Sequence, residues 1–188
     1  MADFSVISDV SNEVLKVLRE NICPELIQSP ESIALAVPTD KNADFQLGLY
    51  LYDIQELREY QQQDLIRLRD NKAQYPPKPL NLFFALFINT KSQFMSNMEN
   101  EQRILGRAMQ VLMDHAILYE TAEEDEDTTA SVTLLPLSYE EKTKIWSVLS
   151  VPYQLGIYFS VAPVLLSSRR VRSFRRVVTA EFDVANRG

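Results

Sequence analysis

The sequence contains a single histidine, His115, and a single cysteine, Cys23, so little nucleophilic or zinc chemistry can be assembled from it. Ser-His-Asp and Cys-His catalysis need an imidazole beside the nucleophile to accept its proton. A zinc site needs about four nitrogen or sulfur ligands, which this pair cannot supply. We interpret His115 as a surface or capping residue near the C-terminus of a helix. We interpret Cys23 as a small buried apolar group.

The remaining patterns that bind cofactors are also incomplete. A phosphate-binding loop needs clustered glycines, whereas the four glycines here are scattered. The acidic run Glu123–Asp127 lacks the alternating spacing and closing glutamate of a calcium loop, so we interpret it as solvated charge. Asp53, Glu56 and Glu59 are candidates for acid-base or metal-assisted hydrolysis, but no feature of the sequence distinguishes them from solvated carboxylates on helices and loops. The sequence therefore predicts a protein that is not an enzyme, without catalytic residues, metal or cofactor.

Composition limits the class of protein further. With 188 residues, 46% of them hydrophobic, the chain is long enough for one domain with its own core. A net charge of -7 argues against wholesale nucleic-acid binding, which requires neutralising many phosphates. The start of the sequence lacks a signal-peptide pattern, and no apolar run approaches ~18 residues. We expect a protein synthesised in the cytoplasm, without direct membrane insertion.

Hydrophobic periodicity predicts the elements that carry these residues. Helical spacing marks the segments 6–18 and 98–118, with the apolar positions of the second at Ile104, Leu105, Ala108, Met109, Leu112 and Met113. Ser138 and Glu141 have the spacing of a capping box, which predicts the start of a third helix. Alternating or continuous apolar residues predict strands at 33–37, 45–54, 80–88, 132–135, 155–161 and 178–184. The fold class is α+β, a mainly antiparallel sheet packed with about three helices, in a single domain over 1–188.

Three segments interrupt this pattern. Residues 56–79 are polar and end in a proline-rich stretch, so we predict an extended arm or a poorly anchored helix there. Residues 120–130 are predicted to be an acidic loop, and 169–176 a basic hairpin or loop. From position 169 onward the chain has six arginines and two acids, a net charge of +4, which leaves -11 for the rest. This asymmetry is the strongest functional signal in the composition.

Four segments together resemble one family. They are 49–54 (LYLYDI), 75–84 (YPPKPLNLFF), 104–112 (ILGRAMQVL) and 135–153, which begins LPLSYEE. Their order and spacing resemble the cap, or tail-terminator, proteins of extracellular contractile injection systems, the phage-tail-like particles that deliver toxins. The resemblance covers about Phe4 to Ser168. It implies a tail-terminator-like domain that forms a homohexameric ring on the end of the inner tube and sheath and stops polymerisation, within a particle that is released or retained.

The candidate contact residues lie near the C-terminal end. We hypothesise that the arginine cluster, Arg169, Arg170, Arg172, Arg175 and Arg176, meets acidic surface on a neighbouring copy, the inner tube protein or the sheath protein. The alternative is an exposed basic hairpin that aids solubility. The segment 177–184, with Val178 and Phe182, is either a strand donated to a sheath protein or an internal strand of the domain. A rival function is an assembly adaptor or chaperone that binds tube or sheath subunits transiently.

Overall fold

The computed structural model of the chain describes residues 4–40, 44–60, 64–68, 72–89, 97–123 and 126–173. The helices in this part of the chain are α1 (Val6–Ile22), α2 (Met98–Asp114) and α3 (Tyr139–Val148). The strands are β1 (Ile33–Leu35), β2 (Leu47–Glu56), β3 (Ile66–Arg67), β4 (Lys72–Gln74), β5 (Lys78–Ile88), β6 (Ile117–Glu123), β7 (Glu126–Leu134), β8 (Gly156–Leu166) and β9 (Val171–Ser173).

Among the described residues, six strands form the main sheet, in the order β1-β2-β5-β8-β7-β6. All its neighbours pair antiparallel except β1 and β2, which are parallel. The longest strands, β5 and β8, lie at the centre, and β5 is buried along most of its length. The predicted α+β class and mainly antiparallel sheet are confirmed.

Two helices cover one face of this sheet. The apolar positions of α1 pack with Leu49, Phe84, Phe159 and the buried side of α2 in one continuous core. Arg19 fixes the end of α1 to the sheet, since its guanidinium donates to the Ile33 carbonyl at 2.7 and 3.0 Å. Burying these side chains supplies the main driving force for folding.

The third helix covers part of the opposite face. Trp146 of α3 packs edge-on against Phe87, which packs edge-on against Phe45. The helix begins as predicted, because the Ser138 hydroxyl accepts from the Glu141 amide while the Glu141 carboxylate accepts from the Ser138 amide. The capping box therefore fixes the start of α3, and Trp146 fixes the face that it buries.

The buried face of α2 is rotated relative to the prediction. Ile104, Leu105, Ala108 and Leu112 are buried as expected, but Met109 and Met113 are 44% and 61% exposed. Val111 is buried instead. The reason is the position of α1, which lies on the side of α2 where Arg107 donates to the Asn21 carbonyl.

Strands form in two ranges where the sequence predicts none. Most of the range 120–130 lies in β6 and β7, which pair from Ile117 with Ser131 to Glu123 with Glu126. Backbone hydrogen bonds between β6 and β7 form this ladder, so the predicted acidic loop over 120–130 was wrong. In the range 56–79, β3 and β4 form a second sheet with β9, in the order β3-β4-β9. The described strands β3 and β4 are thus anchored by strand pairing, in a range where the sequence left an extended arm and a poorly anchored helix open.

Candidate assembly surfaces

The structure describes three of the five residues of the arginine cluster. Arg169, Arg170 and Arg172 are described and all three are exposed. The other predicted contact residues lie outside the described residues: Arg175, Arg176, Val178 and Phe182. The described arginines do not form a hairpin of their own, because Arg172 lies in β9 and pairs with Ala73 of β4.

Aromatic rings hold two of these arginines. The Arg169 guanidinium lies 5.6 Å from the centre of the Phe4 ring, and that of Arg170 lies 4.6 Å from the Tyr75 ring. Stacking of a cation on a ring contributes about 0.5–1 kcal/mol at an exposed site and leaves the charge in place. The Tyr75 amide also donates to the Arg170 carbonyl at 3.1 Å. The two guanidinium groups beyond the end of β8 thus each lie against an aromatic ring.

The three-stranded sheet has two different faces. Residues directly opposite each other share a face, so Arg67, Ala73 and Arg172 lie side by side across β3, β4 and β9. The other face carries Ile66 and Val171, which are 42% and 47% exposed. One face therefore carries two exposed arginines on either side of the buried Ala73, and on the other face Gln74 lies between Ile66 and Val171.

A second surface lies at the opposite end of the main sheet. The start of α2 and residues 151–155 border a groove of about 400 Å³, which we call the α2 groove. Its apolar side chains include Met98 and Leu155, which are 74% and 59% exposed. No local pattern in the sequence indicates this surface, because its two walls lie about 50 residues apart in the chain and meet only in the fold.

The candidate chemical residues do not converge. His115 ends α2, and its Nδ1 lies 3.0 Å from the Val111 carbonyl oxygen, as expected of a capping residue. Cys23 ends α1, and burial raises the pKa of its thiol. Glu56 pairs with Lys78 at 3.0 Å. In the part of the chain that the structure describes, no group of three or more metal-ligating side chains occurs.

The described helices include none that is long and apolar enough to cross a membrane.

Comparison with known proteins assigns the family. Residues 9–180 match the Pvc16 N-terminal domain, which is nearly the whole sequence. The chain belongs to the Pvc16 N-terminal domain family. No curated protein matched the sequence.

Solved structures share the fold of this Pvc16-type domain. One is the sheath/tube terminator of an extracellular contractile injection system, PVC, in the extended state; it has a TM-score of 0.68 and 16% identity over 97% of this chain. Another is the tube terminating cap of the anti-feeding prophage, AFP, with a TM-score of 0.58 and 18% identity over 94% of this chain. The resemblance to the tail-terminator family is confirmed. The present chain spans 64% and 61% of those two chains, under two thirds of each.

Proposed function

We propose that this protein is a structural cap of a contractile injection system, which closes the end of the inner tube and sheath and stops their polymerisation. The observation that carries this proposal is the family match over residues 9–180, supported by the terminator fold over 97% of the chain. A cap works by shape and surface charge, so the scattered chemical residues described above are consistent with it. The protein is then a component of the particle and no bond is made or broken by it.

A six-fold ring of identical copies is the arrangement we propose for the cap. In a closed ring each subunit uses two different surfaces, one for each neighbour. The fold offers two such surfaces at opposite ends of the main sheet, the basic three-stranded sheet and the α2 groove. Separated charges of opposite sign favour head-to-tail contact and disfavour the wrong orientation.

The arginine cluster is the part of this surface that we propose meets acidic groups on a neighbouring copy, the tube or the sheath. Its position supports this role, because Arg169, Arg170 and Arg172 are exposed, with Arg172 in β9 and the other two directly before that strand. The Tyr75 amide donates to the Arg170 carbonyl, which joins the segment between β4 and β5 to the segment between β8 and β9.

The test is a polymerisation assay with purified tube and sheath proteins. Wild-type protein is expected to limit tube length and to remain on tube ends, six copies to an end. Reversing Arg172, Arg175 and Arg176 to glutamate is expected to abolish end binding while circular dichroism shows a folded chain. A matched control reverses Lys16, Arg103 and Lys144, which removes the same charge from α1, α2 and α3.

Two outcomes would contradict the proposal. Unchanged capping by the arginine variant would reject the role of the cluster. Transient binding to free subunits, without retention at tube ends, would assign the protein as an assembly adaptor or chaperone instead.

A further inference from the structure

The outer side of α2 carries a row of exposed side chains, which we call the α2 stripe. It consists of Gln102, Gly106, Met109 and Met113, whose spacings of four, three and four place them on one side of the helix. All four residues are exposed, including the two methionines. A Cβ at Gly106 would meet nothing within 4 Å, so the helix backbone is open at the middle of the stripe. Methionine side chains adapt their shape to a partner and are frequent at binding surfaces.

The α2 stripe is complementary in shape to a second copy of itself. When two α2 helices pack antiparallel about a two-fold axis halfway between Gly106 and Met109, Gly106 of each copy lies opposite Met109 of the other. The methionine then fills the space that the missing side chain leaves, and the two helices can approach closely. The same axis places Gln102 opposite Met113. A two-fold contact uses one patch on both copies, so a single stripe supplies the gap and the side chain that fills it.

Two charges beside the stripe select the antiparallel orientation. Arg103 and Asp114 are both exposed, and they lie on the same flank of α2, within about 20° of each other around the helix. In the antiparallel pair these flanks face each other, and Asp114 of the second copy lies about 3 Å along the helix axis from the point opposite Arg103. A parallel pair would instead bring like charges together, which is unfavourable.

Both charges are available for a partner. Among the described residues, neither Arg103 nor Asp114 takes part in an ion pair within its own chain. In the two-fold contact the pair of Arg103 with Asp114 forms twice, once in each direction. Shape and charge thus point to the same occupant of the stripe, a second copy of this chain.

We propose that free copies of this chain pair through their α2 stripes, antiparallel, with Gly106 against Met109 and Arg103 against Asp114. The contact is closed, because each copy uses the same patch, so it gives dimers and no longer assemblies. A helix of 17 residues is about 25 Å long, which is a small contact, so the dimer is weak and reversible. The inference goes beyond the cap function, since a head-to-tail ring does not contain this two-fold contact.

Sedimentation equilibrium of the full chain, from micromolar to millimolar concentration, tests the pairing. The average mass is expected to rise with concentration from 21.6 kDa toward twice that value. Gly106→Leu puts a side chain into the gap, and it is expected to raise the dissociation constant about tenfold or more. Circular dichroism checks that the helix content of this variant is unchanged, because leucine is a better helix former than glycine.

Charge reversal gives a sharper test, which does not depend on the glycine. Arg103→Glu and Asp114→Arg each put two like-charged pairs across the contact, so each chain alone is expected to stay monomeric. Mixed in equal amounts, the two variants restore an opposite-charged pair at both places, and dimers that contain one chain of each kind are expected. Lys16→Glu and Glu20→Arg are the matched controls, since they make the same changes of charge on the exposed side of α1 and should pair as wild type does.

Three results would overturn the inference. They are a wild-type chain that stays at 21.6 kDa at every concentration, a dimer that survives both single charge reversals, and a mixture of the two variants no more dimeric than its components.

Capping assays on the same variants separate this inference from the proposed function. A Gly106→Leu chain that is monomeric and still blocks tube ends supports pairing through the stripe and leaves the cap role standing. Dimers of the wild-type chain that do not block tube ends would reject the cap role and leave the pairing standing. A wild-type chain that never pairs, combined with loss of capping in Gly106→Leu, would assign the stripe to tube or sheath protein and overturn the pairing.

Discussion

Gly48 lies near the start of β2, beneath aromatic rings that leave no room for a methyl group. A Cβ at this position would lie 2.5 Å from Cζ of Phe87 and 2.8 Å from Cε2 of Phe45. Both rings are almost fully buried and pack edge-on at 5.8 Å. Phe87 is held in turn by Trp146, at 5.7 Å, so neither ring can move aside without disturbing the packing of α3.

The expected cost of Gly48→Ala follows from this geometry. Overpacking a well-filled core costs about 1–3 kcal/mol. For a domain of this size, 1 kcal/mol lowers the midpoint of thermal unfolding by about 2–4 °C. Because α3 packs on the sheet through these rings, we also expect the near-ultraviolet circular dichroism of Trp146 to change.

Gly106 provides the matched control. It lies on the exposed side of α2, and a Cβ there meets nothing within 4 Å. Alanine stabilises a helix interior by about 1 kcal/mol relative to glycine, so Gly106→Ala should raise stability. The same substitution is thus expected to have opposite signs at the two positions.

Urea denaturation of both variants and the wild-type chain measures these changes, as shifts of the unfolding midpoint at unchanged slope. Wild-type stability for Gly48→Ala would refute the reasoning, since it would mean that the rings of Phe45 and Phe87 yield freely. A destabilised Gly106→Ala would show that the outer side of α2 is covered in the isolated chain.

Three further predictions concern α3 and the sheet beneath it. Tyr158→Phe removes the hydroxyl that accepts the Trp146 indole N–H at 2.6 Å. The free energy of unfolding, measured by urea denaturation, should fall by about 1–3 kcal/mol, because the buried N–H is left unpaired. An unchanged midpoint would contradict this expectation. Ser138→Ala should cost about 1 kcal/mol, and the loss should shrink at acidic pH, because the Ser138 side chain and amide hold the pKa of Glu141 below its ordinary value. The stabilisation by the Ser138–Glu141 contact is present above the unfolded pKa of Glu141, and it is lost as pH falls through the folded pKa. A stability difference between wild type and Ser138→Ala that did not change with pH would contradict this expectation. Burial, then the charge of Asp53, raises the pKa of Tyr52 from 10.0 to about 12, so stability should fall as pH rises from 10 to 12. The Tyr52→Phe chain should lose less stability over that interval, and equal losses would contradict the shift.

Local signals in the sequence account for much of the fold. The Ser138 and Glu141 pair predicts the start of α3 correctly, because a capping box is a contact between residues three apart. The continuous apolar run of β5 predicts a strand covered on each side, which its burial confirms. Both patterns depend on neighbours in the chain alone.

Contacts between distant residues explain the errors. The pairing of β4 with β9 joins Ala73 to Arg172, about 100 residues apart, and no local pattern in either segment indicates it. The acidic composition of 120–130 favours a loop, but β6 and β7 pair within this range. Helical periodicity places Met109 and Met113 on the apolar face of α2, but it defines the direction of that face only to within about one residue, and both side chains are exposed.

Of the two candidate surfaces, only the arginine cluster could be located from the sequence. Composition alone located the arginine cluster, because six arginines in the last 20 residues of this chain are a local signal. The stacking of Arg169 on Phe4 and of Arg170 on Tyr75 depends on the fold. No pattern in the sequence indicates the α2 groove, because residues 98–105 and 151–155 meet only through the packing of α2 beside β8.

Cryo-electron microscopy of tubes assembled with and without this protein tests the central claim most directly. The cap account predicts a six-fold ring of this chain at one end of each tube, with tube growth stopped there. Bare tube ends, continued growth in excess protein, or end density formed by another polypeptide would contradict it.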